Sequence, residues 1–597
     1  MIFRMIVRQF VSRAAVAAHC VLLGVMVLSG TRYAHAQSYR DVAPLPPPAA
    51  AKYSSPALPA EPDDRSTAVA ITQLRGIAFV RGGVSSAEGD AHSGASSADG
   101  NVRETGLPLL NAAFLGRLAA DIGKPLTFAR LADIRRMVVQ AYRDAGRPLV
   151  DVYVPEQDVS GGEVTIAVAE FRLGNVSLQG NRHFSTALLE REMPLSTGKP
   201  IRADDVDAGL ALLNENPYRR VDAVYAPGAA PGTTDVVLNV DDRLPLRIYG
   251  GYNNDGVRQL GRDRVLAGLD YGNLFGADIR FGYQMTASND LLTGNPAIEG
   301  RPNRPRFIAH AMNFVVPLTP FDSIELFGVF ARSTPRLPDS YRQDGISSQI
   351  SFRYGRRLPS LAGWQQRARF GYDFKRSNND LEFGGFQVFN ANTHVHQFVL
   401  EYDASKSDAS GDTRVNASLM LSPGGFDGNN RDDAFDAAQL GAKARYQYLQ
   451  LSAQRDTPLG ASKFIWSMRA QVQWTNSTLL PSEKLGLGGD ATVRGYEPYS
   501  AQGDRGWNIQ SELRSPSFGL GAVALQPFLF FDAGRVWNRT PQPVDINSAS
   551  LASIGAGFRL QAARFVSVRG TLGFPLRSVV PNGSKAPQGE LFVVFGS

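Results

Sequence analysis

The stretch Phe464-Ile465-Trp466-Ser467-Met468-Arg469-Ala470-Gln471-Val472-Gln473-Trp474 places apolar, mostly bulky side chains at its even positions and, after Ile465, polar ones at its odd positions. Successive side chains of a β-strand point to opposite faces, so this is one greasy face backed by one wet face. A single such strand suits the half-exposed sheet of a soluble sandwich. The pattern recurs, however. In Arg264 to Tyr271, Val265, Ala267, Leu269 and Tyr271 oppose Arg264, Leu266, Gly268 and Asp270. In Asp278 to Thr286, Ile279, Phe281, Tyr283 and Met285 oppose Asp278, Arg280, Gly282 and Gln284, and in Gln366 to Lys375, Ala368, Phe370, Tyr372 and Phe374 oppose Arg367, Arg369, Gly371, Asp373 and Lys375. Aromatics on one face and charges on the other, strand after strand, fit lipid outside and water inside. Closure into a ring removes the unpaired edges that lipid cannot satisfy. From residue 244 to 597 the alternation is separated by Gly, Asn, Asp and Pro turns, and about 16 strands would each take roughly 22 residues with their connections. The prediction is a transmembrane antiparallel β-barrel over 244–597.

Upstream the period changes. Leu110, Phe114, Leu115 and Leu118, then Ile134, Val138, Ala141 and Tyr142, make two helical stripes, preceded by a strand at Ile77–Val80 and followed by strands at Leu149–Val154 and Val164–Val168. The order repeats at once, with a strand at Gly174–Leu178, helices at Thr186–Met193 and Asp204–Asn214, and strands at Val221–Tyr225 and Asp235–Val240. These two units are assigned to 71–170 and 171–243. The Gly/Ser/Ala/Asp-rich run Gly82–Gly100 inside the first reads as a loop. Residues 37–70, with seven prolines between Pro44 and Pro62, read as a semi-extended linker. Residues 1–36 read as a secretory signal: Arg4, Arg8 and Arg13, an apolar stretch Ala14–Leu28, then Ala34-His35-Ala36 for the peptidase. The apolar stretch is too short for a spanning anchor, and Ala17-Ala18-His19 before Cys20 makes a poor lipobox. Cleavage removes the single cysteine and four arginines, lowering the formal charge from +6 to +2. No nucleic-acid binding is inferred.

Two motifs point further. Leu487-Gly488-Gly489-Asp490-Ala491-Thr492-Val493-Arg494-Gly495-Tyr496 resembles the VRG[FY] loop of the outer-membrane-protein-85 superfamily, and Phe530-Phe531-Asp532-Ala533-Gly534 resembles its F-x-D-x-G strand. The resemblance implies that Arg494, with Val493, Gly495 and Tyr496, sits on a loop folded into the barrel and pairs with Asp532 on the wall beside Phe530 and Gly534. The two upstream units resemble POTRA domains. Pro155, Gln157, Asp158 and Gly162 match the signature of two-partner secretion transporters of the haemolysin activation/secretion type, as do Leu212–Pro217 and Ala226–Gly232 in the second unit. Members of that family often begin with an amphipathic plug helix, for which residues 37–70 are too broken by proline.

The resemblance implies an outer-membrane translocator of a Gram-negative bacterium, with its POTRA domains in the periplasm. The implied partners are a large secreted exoprotein of adhesin or cytolysin type, outer-membrane lipid, and the barrel-assembly machinery for its own insertion. No cofactor is expected. No G-x-x-x-x-G-K-[ST] loop is present, since Gly198-Lys199 runs into Pro200, and neither G-x-S-x-G nor H-E-x-x-H occurs, so no enzyme is expected. His394 and His396 share one strand face, but their parity with Phe398, Leu400 and Tyr402 reads as a place near the barrel rim, and no metal is assigned. The alternatives are a barrel-assembly insertase of the same superfamily and a passive porin, which would leave the POTRA pair unexplained.

Overall fold

The computed structural model describes residues 39–47, 56–58, 64–82, 99–293, 305–337, 341–383, 386–541, 546–563, 565–580 and 583–596. The predicted signal segment and nearly all of the Gly82–Gly100 loop lie outside these residues. The chain divides into two units: Pro48–Pro245 with Phe275–Asp278, and Met1–Pro47 with Leu246–Leu274 and Ile279–Ser597.

The first unit holds two α/β repeats. In one, strands lie in the order Val102–Thr105, Gly76–Arg81, Glu163–Glu170, Val150–Tyr153, with helices Ala112–Leu118 and Phe128–Asp144. The helices start where the sequence offers caps, because the Asn111 side chain accepts from the Phe114 amide and the Thr127 hydroxyl from the Arg130 amide. The predicted stripes fill the core: Phe79, Leu115, Leu118, Ile134, Val138 and Ile166 are fully buried. In the other repeat, Thr233–Asp242 lies between a parallel Arg172–Gln179 and an antiparallel Arg219–Pro227, with helices Thr186–Glu192 and Ala203–Leu213 against them. A buried guanidinium fixes this repeat. Arg219 donates to Glu192 at 2.7 Å and to Asp278 at 3.0 Å, and stacks 4.8 Å from the centre of the Phe184 ring.

The second unit is a closed barrel. Sixteen antiparallel strands run in chain order from Leu246–Asn253 to Gln588–Gly596 among the described residues, counting Arg505–Arg514 and Phe518–Leu520 as one interrupted strand because both pair with Val523–Trp537. The ring closes through Tyr249–Gly596 to Asn253–Phe592. Short turns such as Asp408–Gly411 alternate with longer connections such as Ser422–Tyr446, which in outer-membrane barrels face the periplasm and the outside respectively. Outward side chains are apolar and exposed, among them Phe330, Ile350, Phe370, Trp466, Trp474 and Leu529. Inward ones are polar and buried, among them Asp270, Arg353, Asp373, Gln397, Gln473 and Asp532. The alternation read from the sequence therefore has the sense expected for lipid outside.

Two features depart from the sequence reading. Val102–Thr105 is an edge strand where the sequence pattern marks none. Tyr39–Val42 forms one helical turn, and with the chain to Pro47 it belongs to the barrel unit rather than to a free linker. Val42 is buried against Leu260, Phe307 and Val329, and the Tyr39 ring lies 4.6 Å from that of Phe327. The Leu45 amide donates to the Tyr249 hydroxyl at 3.1 Å and to Gln284 Oε1 at 3.2 Å. The prolines bar a long helix, and wall contacts hold this short one.

Candidate functional site: the arginine loop in the barrel lumen

Between strands Ile465–Thr475 and Arg505–Arg514 the chain leaves the rim of long connections and turns inward. Its stem is a small ladder, Leu485 with Gly503, Gly486 with Gln502 and Leu487 with Ala501. Gly488 (φ 110°) and Gly489 (φ 75°) make the turn beyond the stem in backbone conformations that disfavour a Cβ. The Gly488 amide donates to the Thr492 hydroxyl at 2.9 Å, and the Gly489 amide to the Tyr496 carbonyl at 2.8 Å, so the tip is closed on itself.

Arg494 lies at the end of this turn and is almost wholly buried. Its Nε and Nη2 each donate to Asp532 at 2.7 Å, a bidentate fork, and its backbone amide donates to the same carboxylate at 3.1 Å. Nη1 donates to Glu512 at 2.5 Å, and the guanidinium stacks 3.9 Å from the Phe530 ring centre. Glu512 in turn accepts from Arg514 and Arg559, each at 2.8 Å. Three guanidinium groups thus share two carboxylates in the wall.

The spacing in Phe530-x-Asp532-x-Gly534 now has a physical reading. Residues two apart on a strand share a face, so all three point into the lumen. Phe530 supplies the stacking surface and Asp532 the fork. Gly534 leaves a gap, because a Cβ there would lie 2.8 Å from Leu487 Cδ2 of the loop. Leu529 and Phe531 face outward, being 60% and 47% exposed. Val493 packs in a buried cluster with Leu485, Leu487 and Leu551. The Tyr496 hydroxyl lies 2.7 Å from the carbonyls of both Ala552 and Arg577. Gly495 (φ 84°) passes so close to the wall that a Cβ would come 2.9 Å from the Gly573 carbonyl carbon. Asp490 at the tip pairs with Arg569.

The structure thus brings Val493, Arg494, Gly495 and Tyr496 together with Phe530, Asp532 and Gly534. Glu512, Arg559 and Arg569 were not singled out in the sequence; the available signal was the inward parity of Glu512 with Asn508 and Gln510. The N-terminal turn also meets this loop, where the Tyr499 hydroxyl donates to Asp41 at 2.5 Å.

Pro155, Gln157, Asp158 and Gly162 sit in the other unit, where they stitch a turn to a strand. Gln157 Nε2 donates to the Thr165 carbonyl and the Thr165 amide donates back to Gln157 Oε1, both at 2.7 Å, while Nε2 also reaches the Pro155 carbonyl at 3.1 Å. Asp158 accepts from the Ser160 amide at 2.9 Å and hydroxyl at 3.0 Å, and these bonds hold its carboxyl below the usual range. Gly162 (φ 81°) lets the Arg75 amide donate to its carbonyl at 2.7 Å, and a Cβ there would come 2.7 Å from the Gln73 carbonyl oxygen. This signature shapes the repeat.

Residues 232–560 match the family described as haemolysin secretion/activation protein ShlB/FhaC/HecB, which is more than half of the chain. The chain belongs to this family. Residues 107–170 match the ShlB-type POTRA domain, and 171–243 the POTRA family described as surface antigen variable number repeat. Relatives include the outer membrane transporter CdiB-2 of Burkholderia pseudomallei, 25% identical over 70% of this chain and 69% of that protein. The hemolysin transporter protein ShlB of Serratia marcescens is 25% identical over 77% and 79%. Among solved structures, CdiB from Escherichia coli superposes with a TM-score of 0.72 at 18% identity, covering 91% of this chain and 94% of that one. The ShlB/FhaC/HecB-type protein is thus an outer-membrane β-barrel with periplasmic POTRA domains, in a family of transporters that work with secreted exoproteins.

Proposed function

We propose that this protein exports one large exoprotein of adhesin or cytolysin type through its barrel, without nucleotide hydrolysis. The observation that carries the proposal is the Arg494 fork on Asp532, held on an inward loop of the closed barrel. An unfolded passenger in the periplasm adds a strand to an open edge of a POTRA sheet, such as Val150–Tyr153 or Arg172–Gln179. It then threads the lumen while the arginine loop moves aside. Lumen Arg, Asp and Gln side chains exchange hydrogen bonds with the extended backbone, so no strong trap forms along the way. Folding outside makes the passage irreversible.

Comparison of the outer-membrane and culture-supernatant proteomes with and without the gene tests this reading. Loss of one large secreted or surface protein, with other barrels unchanged, is the expected result. A broad fall in many barrel proteins would replace the proposal with an assembly insertase.

A further inference from the structure

His394 and His396 lie two apart on strand Phe386–Asp408, on the same face. The connection that follows strand Gly411–Ser422, on the rim of long connections, folds back over them. It delivers Asp427, whose Oδ2 is 2.9 Å from His394 Nδ1 and 3.0 Å from His396 Nε2. The three donor atoms all lie within 4.8 Å of one another.

The surroundings are built to hold this arrangement. Asp427 Oδ1 is occupied by the Asn429 amide at 2.8 Å, which turns Oδ2 toward the imidazoles. His396 is oriented from both sides, by the Tyr372 hydroxyl on Nδ1 at 2.5 Å and by the Phe426 ring stacked 4.8 Å away. The loop backbone is tied to the strand where the His394 amide donates to the Asn429 carbonyl at 3.0 Å and Asn430 Nδ2 to the His394 carbonyl at 2.7 Å. His394 Nε2 is buried and has no hydrogen-bond partner among the described residues, so in the absence of an ion Nδ1 donates to Asp427, and an ion bound at Nδ1 would displace that proton. A ligating imidazole whose other nitrogen is hydrogen-bonded, as His396 is by Tyr372, is the usual support of a metal site.

We propose that His394, His396 and Asp427 bind a divalent first-row transition metal of the zinc type at the outer rim of the barrel, pinning the 423–431 connection to the wall. Two imidazoles and one carboxylate are the donor set of open zinc sites, with remaining positions left to water. Ligand bonds of about 2.0–2.1 Å in a tetrahedral site separate donors by roughly 3.3 Å, so the two carboxylate–imidazole spacings need only a small opening, while the two imidazole nitrogens, within 4.8 Å of each other, draw together around the ion. Asp427 is 36% exposed, which leaves an approach for the ion. The site is independent of the arginine loop and of the transport reading.

The test uses tag-free full-length protein in detergent, stripped with chelator and titrated with zinc chloride by calorimetry, with bound metal counted by mass spectrometry. The expected result is one saturable equivalent, lost or weakened at least tenfold in His394→Asn/His396→Asn and in Asp427→Asn, and kept in His310→Asn. Cobalt(II) titration should give a visible band in the wild type that is absent from Asp427→Asn. Heat-modifiable gel mobility shows that each variant is folded, and Asp427→Asn, on a loop, supplies the test should the double variant fail to fold. No saturable uptake by the wild type, or uptake unchanged in Asp427→Asn, would overturn the proposal and leave only an imidazole–carboxylate ion pair.

Discussion

Arg494→Ala is the perturbation that most directly probes the lumen. Asp532 has no exposure to solvent. Without the guanidinium the one hydrogen bond left to its charge among the described residues is from the residue 494 amide at 3.1 Å, whereas Glu512 keeps Arg514 and Arg559. Deleting one partner of a buried ion pair costs about 3–5 kcal/mol. At about 1.4 kcal/mol per factor of ten, the ratio of docked to undocked loop falls by roughly two to three and a half powers of ten. Planar-bilayer recording should then find the barrel open for much of the time, and export into the medium should fall strongly. The barrel should remain inserted and heat-modifiable, because the ladder does not depend on the pair. Since the two side chains act as a unit, Arg494→Ala/Asp532→Ala should be no worse than the worse single variant. Wild-type conductance and wild-type export in Arg494→Ala would refute the reasoning.

Gly495→Ala forces a left-handed conformation worth about 1–2 kcal/mol and a close approach to Gly573, so bilayer recordings should give openings rarer than those of Arg494→Ala but above wild type. Gln157→Ala removes the two-way bond with Thr165 and should lower the thermal transition of the POTRA unit, by about 1–3 kcal/mol of stability, read by circular dichroism. Burial pushes the Glu192 carboxyl up to about 7 against the pull of Arg219, from an ordinary 4.5. The folded state therefore holds this proton more tightly than the unfolded one, and the associated stability, full below about 4.5, is lost as pH rises toward about 7. Urea unfolding of the POTRA unit at pH 5 and pH 7.5 should differ in that sense, and Glu192→Gln should narrow the difference.

The barrel was legible because its rule is repeated: inside and outside alternate along every strand, and the sign of the alternation, aromatics out and charges in, separates lipid from water without reference to tertiary detail. The α/β repeats were legible from their helical stripes. Val102–Thr105 escaped because its sequence, Val-Arg-Glu-Thr, carries a carboxylate on the inward face, where Glu104 is buried and accepts the Leu107 amide at 2.6 Å. The Tyr39–Val42 turn escaped because nothing local favours it, and its partners Gln349 and Gln284 lie more than 200 residues away, as does Tyr249, which holds Leu45 just after it. In the lumen, Arg494 and Asp532 stood out as motif residues, whereas Glu512 is one inward position among many and acquires its role from the three arginines that converge on it.

The seam of the barrel has a mechanical consequence. Every other pair of neighbouring staves is tethered by a turn, so separating them leaves both still leashed together. Leu246–Asn253 and Gln588–Gly596 have no such leash and are joined by ladder hydrogen bonds over the short span from Tyr249–Gly596 to Asn253–Phe592 and by the packing of Tyr249 with Val594 and Phe592, whereas Tyr341–Leu361 and Trp364–Phe383 stay zipped along nearly their whole length. Under tension or heat the hoop therefore splits at this seam first. The split peels outward from the last strand, one hairpin at a time; the first hairpin to leave carries Arg569 and Gly573, against which the arginine loop rests, and the second carries Asp532, so the loop loses its wall partners early.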